Sequence, residues 1–263
     1  MSEVVSGPLA GAGIVITRPA RQAAALASEI AALGAKPLIF PSIVILPPRD
    51  RGPLDTVLSQ LSSYSYAVFV SANAVEYGVG DPAAWPKQLI AFAPGPGTAA
   101  ALSAVGVANV RLPKTTMDSD GLLALPEFGD VAGKNVVIFR GSGGRDVLRD
   151  ALLARGARVV QVDCYRRSRP TTSPDGLIEA WRERRVDAVT ITSGEGLVNL
   201  WSLLDAQGRG YLVATPTFVP HPRIAEQARG VGLARVIVTP SADQGLIASL
   251  LEYFATRKPV RPG

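Results

Sequence analysis

Residues that carry most covalent and metal chemistry are scarce in this chain. Its 263 residues include one cysteine, Cys164, and one histidine, His221. A single cysteine excludes a disulfide within the chain and any thiolate metal cluster, and fits a reducing cytoplasm. A histidine-based metal site or a Ser-His-Asp triad would have to be built around one imidazole. There is no G-x-x-x-x-G-K-[ST] motif, so a P-loop is excluded and ATP chemistry has no support. A membrane helix is missing too. The longest uncharged stretch, Leu89 to Val110, is broken in its middle by Pro94, Gly95, Pro96 and Gly97. At the N-terminus, MSEVVSGPLAGAG has Glu3 where a signal peptide carries positive charge, so a cytoplasmic protein is expected.

Positive charge is in modest excess, 27 Lys and Arg against 22 Asp and Glu. Most of it is arginine, whose planar fork suits carboxylates and phosphates. Aromatic residues, 6% of the chain, barely interleave with the basic runs Arg166-Arg167-Ser168-Arg169 and Arg182-Glu183-Arg184-Arg185. Only Tyr165 and Trp181 adjoin them, which disfavours a nucleic-acid partner and favours an anionic small molecule.

An apolar fraction of 47% describes a globular protein, long enough for two domains. The chain repeats itself. IVITRPARQAAALASEIAALGAKPLIF from Ile14 aligns without a gap on VVIFRGSGGRDVLRDALLARGARVVQV from Val136, at an offset of 122. Each copy reads as an apolar strand, a turn with an arginine, an amphipathic helix ending at glycine, and a second strand. The same offset relates AVFVSAN from Ala67 to VTITSGE from Val189, and an offset of 126 relates PGPGTAAALSAVGVANV from Pro94 to PHPRIAEQARGVGLARV from Pro220. Asp120-Gly121-Leu122-Leu123 echoes Gln244-Gly245-Leu246-Ile247, each expected to open another helix. Alternating strands and helices of this kind predict two similar α/β domains with parallel sheets flanked by helices.

The repeat also disposes of a decoy. Gly95, Gly97 and Ala100 fit the loose dinucleotide spacing G-x-G-x-x-[GA], but the following strand ends at Pro113-Lys114 without the acidic ribose partner. In the second copy His221 and Arg223 replace Gly95 and Gly97, so phosphate approach does not demand glycine there. Both copies keep a helix N-terminus at the carboxyl end of a strand, which favours an anion.

These motifs, in order, resemble the uroporphyrinogen-III synthase family. They are Ile14 to Pro19, Leu33-Gly34-Ala35 with Phe40-Pro41, Val70 to Val75, Gly95 to Ala99, Phe139-Arg140-Gly141 with Gly144-Arg145, Arg155-Gly156-Ala157 with Cys164-Tyr165, Thr192-Ser193, and Pro220 to Ala225. The resemblance implies a chain that crosses between domains on two antiparallel connecting strands. One domain would comprise about 1–43 and 169–263, the other 44–168, with linkers near 41–48 and 163–170 and the active site in the cleft between them. It implies cyclisation of hydroxymethylbilane with inversion of the last pyrrole ring and loss of water, without cofactor or metal, by a monomer.

Open parallel sheets bind ligands beyond the carboxyl ends of their strands. Arg18, Ser71, Ala72, Asn73, Gly97, Thr98, Arg140, Gly141, Ser193, Gly194, His221 and Arg223 fall at strand ends or the helix starts that follow, and are the expected substrate-binding residues. Helix capping alone would also account for Ser71, Ser193 and Thr98. Tyr165 matches the tyrosine of the family motif and is the expected proton donor to the leaving hydroxyl. Without the resemblance, its ring would pack at a junction and its hydroxyl would meet water. A non-catalytic two-domain binding or regulatory protein for an anionic metabolite is the alternative these residues leave open.

Overall fold

The computed structural model describes residues 7–144 and 146–256; Glu3 and the motif residue Arg145 lie outside them. The chain opens with strand β1 (Gly13–Ile16), helix α1 (Ala20–Ala32) and β2 (Lys36–Ile39). Next come β3 (Val44–Leu46), α2 (Gly52–Ser59), β4 (Tyr66–Phe69), α3 (Ala72–Gly78), β5 (Ile90–Phe92), α4 (Pro96–Ala104) and β6 (Val110–Arg111). The middle continues through α5 (Ser119–Leu123), α6 (Pro126–Gly129), β7 (Asn135–Gly141), α7 (Val147–Ala154) and β8 (Arg158–Ser168). It closes with α8 (Asp175–Arg182), β9 (Ala188–Thr190), α9 (Gly194–Leu203), α10 (Ala206–Ala214), β10 (Thr217–Val219), α11 (Pro222–Gly230), β11 (Val236–Val238) and α12 (Ala242–Ala255). Two compact units result, one of 1–44 with 168–263 and one of 45–167.

The first unit holds a five-stranded parallel sheet in the order β11-β10-β9-β1-β2. The second holds a six-stranded sheet, β3-β8-β7-β4-β5-β6, in which the pairs from β8 to β6 are parallel. Each sheet pairs one β-α-β segment with strands from elsewhere in the chain, three in the first unit and four in the second, where β3 adds an edge beside β8. Counting the β-α-β strands as first and second and setting β3 aside, both sheets have the order 2-1-3-4-5. Their direction of winding therefore reverses beside β1 and beside β7, the places where such sheets bind ligands.

Alternation along the strands sends side chains to two faces of each sheet. Val15, Val189 and Val219 meet α8, α9, α10 and α11 on one face of the first unit. Ile14, Ile16, Ala188 and Phe218 meet α1 and α12 on the other. In the second unit Phe69, Ala91, Val137 and Phe139 face α2, α3 and α4, while Val68, Phe92, Val136 and Ile138 face α5, α6 and α7. The two helices expected after Asp120 and Gln244 differ in length. α12 runs 14 residues, whereas α5 stops after five, because Pro126 forces the residue before it out of helical conformation. No helix among the described residues is long and apolar enough to cross a membrane.

Candidate active site

Each expected binding residue lies at the carboxyl edge of its own sheet. In the first unit Arg18 follows β1, Ser193 and Gly194 follow β9, and His221 and Arg223 follow β10. In the second, Ser71, Ala72 and Asn73 follow β4, Gly97 and Thr98 follow β5, and Arg140 and Gly141 end β7. What these residues do locally separates them. Ser71 caps α3, its Oγ accepting from the Ala74 N–H at 3.2 Å, and Ser193 caps α9 in the same way from Gly196 at 3.0 Å. His221 caps α11, its Nδ1 accepting from the Arg223 N–H at 3.1 Å, so that donor is already used at a helix start expected to hold an anion. Gly95, at the equivalent place before α4, has no side chain and leaves the first turn uncapped. The Thr98 side chain is buried, which leaves its backbone N–H, with that of exposed Gly97, as the donors of that turn.

Two of the arginines are engaged within the fold. Arg18 forms an ion pair with Asp243, in the first turn of α12. The Arg140 side chain is only 10% exposed; Nη1 meets Asp146 Oδ1 at 2.7 Å, Nη2 donates to the Gly144 carbonyl, Nε donates to the Gly141 carbonyl at 3.2 Å, and Asp163 lies at 3.6 Å. Hydrogen bonding from Arg140, supported by Arg149, holds the Asp146 carboxyl below its ordinary value. Arg140 thus ties down the loop after β7, where the sequence suggested a free cation for substrate. Nothing near Arg140 in sequence marks Asp163 as its partner, because β8 brings it alongside. Among the described residues no carboxylate pairs with the exposed Arg223.

Tyr165 is placed by a β-bulge. Arg140 on β7 pairs with Asp163, but Gly141 pairs with Tyr165, so β8 carries one extra residue. Strict alternation would turn Tyr165 away from the side that Cys164 faces, yet both are buried. The phenol ring lies across Gly141, where an added Cβ would sit 2.6 Å from ring atoms Cε2 and Cζ. Beyond it the Tyr165 hydroxyl meets Ser71 Oγ at 3.1 Å. Its hydroxyl therefore does not end in water, and the residue is 2% exposed. Beside it Cys164 Sγ donates to the Arg140 carbonyl at 3.1 Å, and burial pushes its thiol up to about 12.

The match to known proteins spans most of the chain. The family described as Uroporphyrinogen-III synthase HemD matches residues 24–248. The uroporphyrinogen-III synthase of Salmonella typhimurium (strain LT2) is 35% identical over 246 residues, covering 91% of this chain and 99% of that protein. That of Escherichia coli (strain K12) is 34% identical over the same extent. The crystal structure of uroporphyrinogen-III synthetase from Helicobacter pylori 26695 shares the fold at 13% identity with a TM-score of 0.59, covering 92% of this chain and 99% of that one. A mutant uroporphyrinogen III synthase from the extremely thermophilic bacterium Thermus thermophilus shares it at 18% identity with a TM-score of 0.56, covering 93% and 99%. The chain belongs to the uroporphyrinogen-III synthase family.

Proposed function

We propose that this protein is a cyclising lyase that converts hydroxymethylbilane, a linear tetrapyrrole, into uroporphyrinogen III. The observation that carries the reading is 35% identity to a uroporphyrinogen-III synthase across nearly the full length of both chains. In this reaction the terminal hydroxyl leaves with its bonding pair while the adjacent pyrrole nitrogen gives up its proton. Water is lost and an azafulvene remains. The substituted carbon of the last ring attacks it to form a spiro intermediate, whose reopening and closure inverts that ring. Unaided closure gives the symmetric isomer, so the protein's main contribution is to hold the chain in the spiro geometry.

The substrate carries acetate and propionate carboxylates. We assign their recognition to the donors at the carboxyl edge of each sheet, foremost the uncapped first turn of α4 and the exposed Arg223 guanidinium. Arg18 and Arg140 contribute by fixing the loops they anchor. The hydroxyl pair Tyr165–Ser71 serves the departing oxygen. The protein acts in this reading as a cytoplasmic monomer without nucleic acid, cofactor or metal; a buried free thiol supports a reducing compartment.

The test is direct. Purified protein mixed with freshly prepared hydroxymethylbilane should yield mainly the asymmetric isomer, separated from the symmetric one by chromatography after oxidation to porphyrins. Symmetric isomer alone would sink the assignment and leave a tetrapyrrole-binding role.

A further inference from the structure

The hydroxyl pair at the winding reversal of the second sheet has a direction that can be worked out by counting donors and acceptors. A hydroxyl offers one hydrogen and accepts two. The Ser71 oxygen already accepts the Ala74 N–H. Tyr165 is 2% exposed and Ser71 is the sole hydrogen-bond partner of its hydroxyl among the described residues, so a phenol hydrogen not given to Ser71 would be buried unpaired. Leaving such a donor unmade costs more than the bond itself contributes. Tyr165 therefore donates to Ser71. With the Ala74 N–H and the phenol on its two acceptor positions, Ser71 has its own hydrogen free, and Ser71 is the more exposed of the two residues.

The internal repeat supplies a comparison. Ser193, 122 residues on, caps its helix just as well with no phenol behind it, since the residue equivalent to Tyr165 is the buried Ile43. Capping thus does not require the tyrosine. Two further features exist to seat it: the bulge in β8, and a glycine at 141 where any side chain would strike its ring.

We infer that Ser71 presents the hydroxyl that hydrogen-bonds the departing oxygen of the substrate, and that Tyr165 is a positioning residue that turns the Ser71 hydrogen outward. This rests on the synthase reading above. No proton needs to be supplied by either group, because the pyrrole N–H provides the one that leaves as water.

Four full-length variants test it, each compared by kcat, KM and melting temperature with wild-type protein first shown to make the asymmetric isomer. Tyr165→Phe keeps the ring and should lower kcat by about 10-fold at little-changed KM, since the Ser71 hydrogen is then free to turn. Ser71→Ala should lower it by about 100- to 1000-fold, the loss typical of one donor aimed at developing negative charge. The double variant should be no slower than Ser71→Ala, because Tyr165 acts through Ser71. Ser71→Asp accepts from Ala74 and Tyr165 and keeps the cap, yet has no hydrogen to give; it should be as slow as Ser71→Ala even if the alanine variant is poorly folded. A larger loss in Tyr165→Phe than in Ser71→Ala, losses that multiply in the double variant, or wild-type kcat in folded Ser71→Asp would each overturn the inference. A wild-type protein that makes only the symmetric isomer would instead remove the synthase reading on which it stands.

Discussion

Arg18 and Arg140 occupy equivalent strand ends, and both spend their guanidinium inside the fold, on Asp243 and on Asp146. An arginine at a ligand-binding edge looks like a ligand for anions when only the sequence is known. Its carboxylate partner, once folded, cancels much of the long-range attraction and leaves a rigid loop in exchange. Cys164 shows the same inward turn. Its thiol lies under Gly78 with its proton on the Arg140 carbonyl, and burial raises its value to about 12 from an ordinary 9.0. Because the raised value favours the neutral thiol, its contribution to stability should be complete below pH 9 and be lost as pH climbs toward 12. Native protein at about pH 8, below the ordinary thiol value, should accordingly react with an aromatic disulfide reagent far more slowly than the same protein in denaturant, and Cys164→Ser should lose part of the alkaline slope in stability. Equal rates of thiol reaction in the native and denatured protein would show that Cys164 is not sealed in the core.

At the level of elements, a single insertion in β8 organises the neighbourhood of Tyr165. The bulge brings Gly141 opposite the tyrosine, and the ring fills the space a side chain at 141 would need. Gly141→Ala should therefore cost about 1–3 kcal/mol in urea unfolding, the usual range for overpacking, and should displace the phenol from Ser71. Gly97→Ala, where an added Cβ meets nothing within 4 Å, is the matched comparison and should change stability by less than about 0.5 kcal/mol. Equal effects at the two positions would mean the ring yields easily and the bulge is permissive. The helices at the carboxyl edges differ in a similar local way. Ser71, Ser193 and His221 close their first turns with a side chain, whereas Gly95 cannot.

For the whole molecule the two units stand on different footings. All strands of the six-stranded sheet, and both apolar clusters that cover it, come from one continuous stretch of chain. The first unit is assembled from two stretches separated by that segment. Residues 45–167 expressed alone should fold and unfold cooperatively by circular dichroism and calorimetry, because their core is complete. The stretch 168–263 alone should not, since it lacks β1, β2 and α1, whose Ile14, Ile16, Leu26 and Ile30 make up much of one face of its sheet. A molten 45–167 fragment would mean that this segment depends on the rest of the chain for its order.

Much of this protein is legible in its residues without a structure. The repeat at offset 122 and the alternation of strand and helix follow from local periodicity, which the backbone obeys wherever one face must leave water. The ordered motifs were specific enough to indicate the family. The pairing of β1-α1-β2 with β9 rather than with the nearer β4 is not a local property. Two β-α-β segments of nearly equal pattern fit either set of three strands, and the choice rests on contacts such as Gly13 N–H to Asp187 Oδ2, made across 174 residues. The meeting of Tyr165 with Ser71, 94 residues away, likewise depends on the extra residue in β8, without which alternation would have placed Tyr165 on the opposite side. Sequence pattern determines which faces are apolar. Which polar groups satisfy one another is decided only when the sheets close, because a buried donor takes whatever partner the tertiary fold brings within reach.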